Sequence, residues 1–137
     1  MAEKDYSGTP LYKKLGIKEG ARVALLAAPP GARDLLEPLP DGVTVATRAT
    51  KDVDVILHFV TKETDLRSRF GTLARALATD GGLWVAYPKK TSSIPTELTF
   101  GSVQHVGLAA GLVDNKSCAI DEDWSGVRFV YRLEDRR

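Results

Sequence analysis

The chain has 137 residues, 43% of them hydrophobic and 27% charged, which suits one compact domain and leaves too little for two independent cores. Lys and Arg number 19 against 18 Asp and Glu, so a net charge of +1 provides no global field for nucleic acid or a membrane surface. One Cys excludes an intrachain disulfide, and with only two His it speaks against a structural zinc site.

The opening MAEKDYSGTP lacks an apolar signal core, and no run reaches the length of a membrane span. A soluble cytoplasmic protein is the expectation. Residues 1–5 are expected to be disordered, 6–133 to form a single domain, and 134–137 to be a polar tail.

Thr9 and Pro10 read as a helix start, with Thr9 as the cap and Pro10 where a missing N–H costs nothing. Leu11 to Leu15 follows as a short helix that buries its two Leu and solvates Lys13 and Lys14. Arg22 to Ala28 (RVALLAA) is apolar on both alternating faces, the pattern of a fully buried strand. Ala32 to Glu37 reads as a short helix and Val43 to Ala46 as a brief strand. Val53 to Val60 is the clearest strand. Val53, Val55, Leu57 and Phe59 are expected on one face, and Ile56, His58 and Val60 on the other.

Lys62 to Thr79 is the clearest helix, with Leu66, Phe70, Leu73 and Leu77 as its apolar stripe, Thr61 as its cap and Gly81 as its end. Gly82 to Tyr87 is a further buried strand, broken by Pro88. Thr99 to Ala110 is a helix burying Val103, Val106 and Ala110. Leu112 to Ile120 and Gly126 to Leu133 form an antiparallel hairpin around the turn Asp121 to Ser125.

The order β-α-β-β-α-β-α-β-β predicts a three-layer α/β domain with a mostly parallel, doubly wound sheet of five or six strands. One joint strains that scheme. Arg48 to Asp52 is too short for a helical crossover between parallel neighbours, so either the Val43 strand is rudimentary or the chain returns as an extended loop.

The pieces Asp80–Trp84 (DGGLW), Leu108–Leu112 (LAAGL) and the Lys116 to Arg132 hairpin resemble the back half of the Rossmann-like methyltransferase fold. More closely, Tyr6–Leu11, Lys13–Ile17, Tyr87–Lys90 and Gly107–Lys116 are similar to a family of small bacterial proteins of unknown function. That resemblance implies a degenerate Rossmann-like fold and carries over no catalytic residue. A working methyltransferase places an acid and a glycine-rich turn after the first strand, and a second acid after the next strand. This chain has Leu26 to Gly31 (LAAPPG) and Val45 to Arg48 (VATR) instead, so no cofactor is expected.

In open parallel sheets, ligands bind beyond the carboxyl ends of the strands. Three loops converge there: Ala28 to Gly31, Thr61 with Lys62, and Tyr87 to Ser93. The last combines Lys89 and Lys90 with Thr91, Ser92 and Ser93 beside Tyr87, charge and short donors that suit a phosphate or carboxylate. The candidate ligand site is therefore Tyr87, Lys89, Lys90, Ser92 and Ser93, with Gly31 from the neighbouring loop.

His58 is read as a core histidine bonded to backbone, and Cys118 as a small buried hydrophobe. Asp121, Glu122 and Asp123 lack the spacing of a calcium loop and read as a solvated turn, with Trp124 folded back over the sheet edge. No metal site or catalytic residue is assigned. The Arg residues of the Lys62 helix read as a charged face, a poor nucleic-acid signature without exposed aromatics. The sequence thus favours a non-catalytic regulatory or interaction module that binds a small anionic ligand or a protein partner. The rival is an enzyme or nucleotide-dependent transferase with an atypical cofactor loop at Ala28 to Gly31.

Overall fold

The computed structural model describes residues 9–136. The expected disordered arm and the Tyr6–Gly8 part of the family resemblance lie outside the described residues. Six strands, β1 (Arg22–Leu26), β2 (Thr44–Ala46), β3 (Val53–Phe59), β4 (Leu77–Pro88), β5 (Leu112–Ala119) and β6 (Trp124–Tyr131), form one sheet in the order β2-β1-β3-β4-β6-β5. The first four run parallel, and β6 and β5 close the sheet as an antiparallel pair. The α-helices are α1 (Leu11–Leu15), α2 (Glu63–Ala76) and α3 (Phe100–Ala109).

This is the expected α/β architecture, and its strained joint resolves simply. The edge strand β2 has three residues, about 10 Å of chain, so the six-residue loop 47–52 can return past β1 without a helix. The predicted helix over 32–37 is a four-residue 3-10 turn, Arg33–Leu36, the one helical segment of the first crossover.

Because β3 and β4 are central, both faces of each must be covered. On one face Ile56, Val60, Leu83 and Val85 pack with Leu66, Phe70 and Leu73 of α2 and Val103 and Val106 of α3. On the other, Val55, Leu57, Phe59 and Trp84 pack with Leu15, Ile17, Leu36, Ile120 and Trp124. The short α1 does more than fill space. Its Leu15 carbonyl accepts a 3.1 Å bond from the buried Trp84 indole, and Lys14, expected in solvent, donates to the Ala119 carbonyl.

Several boundaries shift for identifiable reasons. Val53 joins the α2 face, because the β3–β4 register slips between Val53 and Val55. The chain leaves α2 at Ala76, and Leu77 starts β4 with extended backbone while staying buried. Gly81 is therefore a strand residue, and a Cβ there would lie 2.6 Å from the Asp54 carbonyl oxygen. Pro88 ends β4 opposite Trp124 without breaking it early. Thr61 does not cap α2; Lys62 holds that position, and Glu97 accepts a 3.0 Å bond from the Glu63 N–H. Pro10 replaces Thr9 as the boundary residue of α1. Thr99, expected as the first residue of the α3 helix, is instead its cap, with Ser102 completing a reciprocal capping box, and Ala110, expected to be buried, is exposed.

Gly107 is the tightest contact between α3 and the sheet. A Cβ there would sit 2.1 Å from the Phe129 ring, which Phe70 already braces edge-on at 5.3 Å between centroids. Gly107→Ala gains about 1 kcal/mol of helix propensity but forces this ring into its neighbours, a strain that typically costs 1–3 kcal/mol or more. Denaturant melts should show net destabilisation, and a stabilised variant would contradict the packing.

Candidate functional site

Two depressions open at the carboxyl end of the parallel strands. The larger is a cleft of about 740 Å³ between the segment leaving β4 and the start of α3. Tyr87, Lys89, Lys90, Ser92 and Ser93 all line it, so five of the six sequence-chosen residues converge. Gly31 does not line it; it lies exposed in the β1 loop.

The cleft wall is held by the turn 121–125, whose acidic residues are expected from the sequence to be merely solvated. The Asp123 carbonyl accepts from the Lys89 N–H at 2.8 Å, and its carboxylate accepts from the Ser92 hydroxyl at 3.0 Å. Asp121 in turn accepts from the N–H groups of Asp123 and Trp124. Ser92 also accepts from the Ile94 N–H, so its hydroxyl shapes the loop. Thr96 is spent similarly, donating to the Thr61 carbonyl and accepting from Leu98. Thr91 and Ser93 are the exposed hydroxyls that remain beside the lysines. Nothing in the sequence signalled the Asp123 brace, since its partners lie about thirty positions away.

The second depression is a cavity of about 360 Å³ at the junction of β1 and β3, lined by Ala27, His58, Phe59, Val60, Thr61, Asp65, Arg69 and Trp124. The chain goes from β1 outward to β2 and then back to β3 on the other side, so this is the switch point of the sheet. Ala27 has φ of +54°, a left-handed conformation that costs a non-glycine residue energy. Trp124 is 8% exposed and packs edge-on against Phe59 at 5.0 Å, so it folds back as expected and offers no protein-docking surface.

His58 departs from its expected role. It is 3% exposed, and its Nδ1 has no hydrogen-bond partner. Burial lowers its pKa from 6.5 to about 4; the Arg69 charge pushes the same way and Asp65 opposes it. The ring is neutral at physiological pH. Cys118, expected to be buried, is half-buried on β5.

Among the described residues, no cluster of His, Cys, Asp or Glu could hold a metal ion, and no helix is long and apolar enough to cross a membrane. Residues 30–133 match the family described as protein of unknown function (DUF3052). The chain belongs to that family. No curated protein matches the sequence. Among solved structures it is similar to a SAM dependent methyltransferase from Aquifex aeolicus, at 15% identity, with a TM-score of 0.64 and 85% of each chain covered. It is also similar to the PH0226 protein from Pyrococcus horikoshii (13% identity, TM-score 0.60, 90% of this chain and 87% of that one). A third is the ribosomal protein L11 methylase from Lactobacillus delbrueckii subsp. bulgaricus (12%, 0.58, 89% and 75%). At these identities the likeness is one of fold, and the fold is methyltransferase-like.

The buried His58 carries a pH signature. Its folded pKa lies below the unfolded value, so the unfolded chain takes up the proton first, and stability falls as pH drops from about 6.5 towards 4. Between pH 7 and 4.5 this one group should remove about 2 kcal/mol. Denaturant melts of wild type and His58→Gln at both pH values isolate it, because the carboxylates titrate alike in each. Equal pH losses in the two proteins would refute the assignment.

Proposed function

We propose that this protein is a non-catalytic binding module that keeps a methyltransferase-like sheet and holds a small anionic ligand in the cleft between Tyr87 and α3. The observation that carries the reading is the convergence of Lys89, Lys90, Ser93 and Thr91 on one open cleft whose wall is fixed by the Asp123 brace. Two ammonium groups with short hydroxyl donors suit a phosphate or a carboxylate. Asp123 accepts from the Ser92 hydroxyl, and Glu97 accepts from the first N–H of α2.

The methyltransferase-like neighbours raise adenosyl-methionine as a cofactor, and the first crossover does not fit it. Such a site needs glycine turns for close backbone approach and a carboxylate for the ribose diol. Here β1 runs into Ala27 and then Pro29 and Pro30, which lack N–H donors, and the crossover is one 3-10 turn with no α-helical N-terminus to face an anionic group. Beyond β2 stand Thr47 and Arg48, where the ribose acid would be needed. The rival reading, an enzyme with an atypical loop, draws its support from the strained Ala27 and the unpartnered His58 at the switch point.

Calorimetric titration with inorganic phosphate and with nucleoside monophosphates tests the module reading. Binding should weaken with added salt and fall at least tenfold, about 1.4 kcal/mol, in Lys89→Ala/Lys90→Ala. Adenosyl-methionine should give no heat at high micromolar concentration. Tight adenosyl-methionine binding that disappears when Pro29 and Pro30 are replaced would overturn the module in favour of the enzyme.

A further inference from the structure

The cavity at the β1–β3 switch point brings two exposed, oppositely charged side chains beside a buried histidine. Glu63 and Arg67 on α2, four residues apart, close into a 2.7 Å ion pair. Asp65 and Arg69 have the same spacing on the same helix, yet they form no ion pair with each other or with any other described residue. Both line the cavity. Between them and the sheet lies His58, buried and with an unpartnered ring nitrogen. A buried polar atom without a partner is rare in a folded protein, and here it sits in a residue that forms part of the cavity wall. Phe59, Val60 and Trp124 supply an apolar wall, and Ala27 holds its strained backbone at the rim.

The charges restrict what can enter. A simple anion would meet Arg69 but be repelled by Asp65, and a simple cation would face the reverse. A molecule carrying both charges a few ångströms apart satisfies both side chains. The volume of about 360 Å³ lies at the small end of ligand pockets, too small for a dinucleotide and suited to an amino-acid-sized molecule. The aromatic wall favours an apolar substituent.

We propose that this cavity is a second binding site, for a small apolar zwitterion of the α-amino-acid type. Its carboxylate meets Arg69, its ammonium meets Asp65, and its apolar side chain lies against Phe59 and Trp124. His58 gives the inner end of the site a neutral hydrogen-bonding group. The site is separate from the Tyr87 cleft and does not depend on it.

Titration of the full chain with L-phenylalanine, read by the NMR shifts of the His58 ring and the Trp124 indole, tests this directly. Binding is expected below about 1 mM. Removing either charge from the ligand, as in 3-phenylpropionate or phenethylamine, should weaken it at least tenfold. Arg69→Met and Asp65→Asn, both at exposed positions that fold without them, should each do the same, while Lys89→Ala/Lys90→Ala leaves it unchanged. No shift at about 1 mM of either L-phenylalanine or L-methionine overturns the proposal. So does equal binding of 3-phenylpropionate, indifference to both helix variants, or binding of adenosyl-methionine while free amino acids stay inert.

Discussion

The arrangement depends on how closely β3 and β4 approach at Gly81. The position of a Cβ there falls 2.6 Å from the Asp54 carbonyl oxygen, so any larger residue would push the strands apart where their register is set. Beyond that point the pairing runs unbroken from Val55 opposite Gly82 to Phe59 opposite Ala86. With this pair fixed, β1 and β6 can take only the two flanks, and each side of the pair needs its own cover. Two long-enough helices supply one cover. The other is assembled from fragments: α1, the 3-10 turn, and Trp124 returning from the far hairpin.

The same economy shows at the carboxyl end of β1. The first crossover carries only a four-residue 3-10 turn, so no α-helix stands over that strand end. What remains at the carboxyl end are two depressions divided by the Thr96–Thr61 hydrogen bond. Their chemistry differs: one is rimmed by lysines, while the other sets one positive and one negative side chain against an aromatic wall.

Burial patterns in the sequence were enough to find the central strands, because a strand covered on both faces must be apolar at nearly every position. The α2 stripe was equally legible, being local, whereas the Thr99 cap was read only as the first residue of its helix. What the sequence concealed was tertiary. Leu77 satisfies the helical stripe and the strand equally well, so only the sheet decides that it belongs to β4. Val53 changes face because of a register slip that no periodicity reveals. The lysine and serine loop was visible as a cluster, but its brace by Asp123 and the spending of the Ser92 hydroxyl were not. His58 was recognised as buried, and its lack of a partner depends on what surrounds it in space.

The two margins of the sheet are poor templates for another chain. On one side β2 offers three residues, less than a stable new strand requires. On the other, β5 kinks where its pairing slips between Asp114 and Lys116, and places Lys116 directly opposite Arg128 of its neighbour. A foreign strand approaching that margin would meet a bent ladder and a local excess of positive charge. The fold thus carries its own protection against edge-to-edge aggregation.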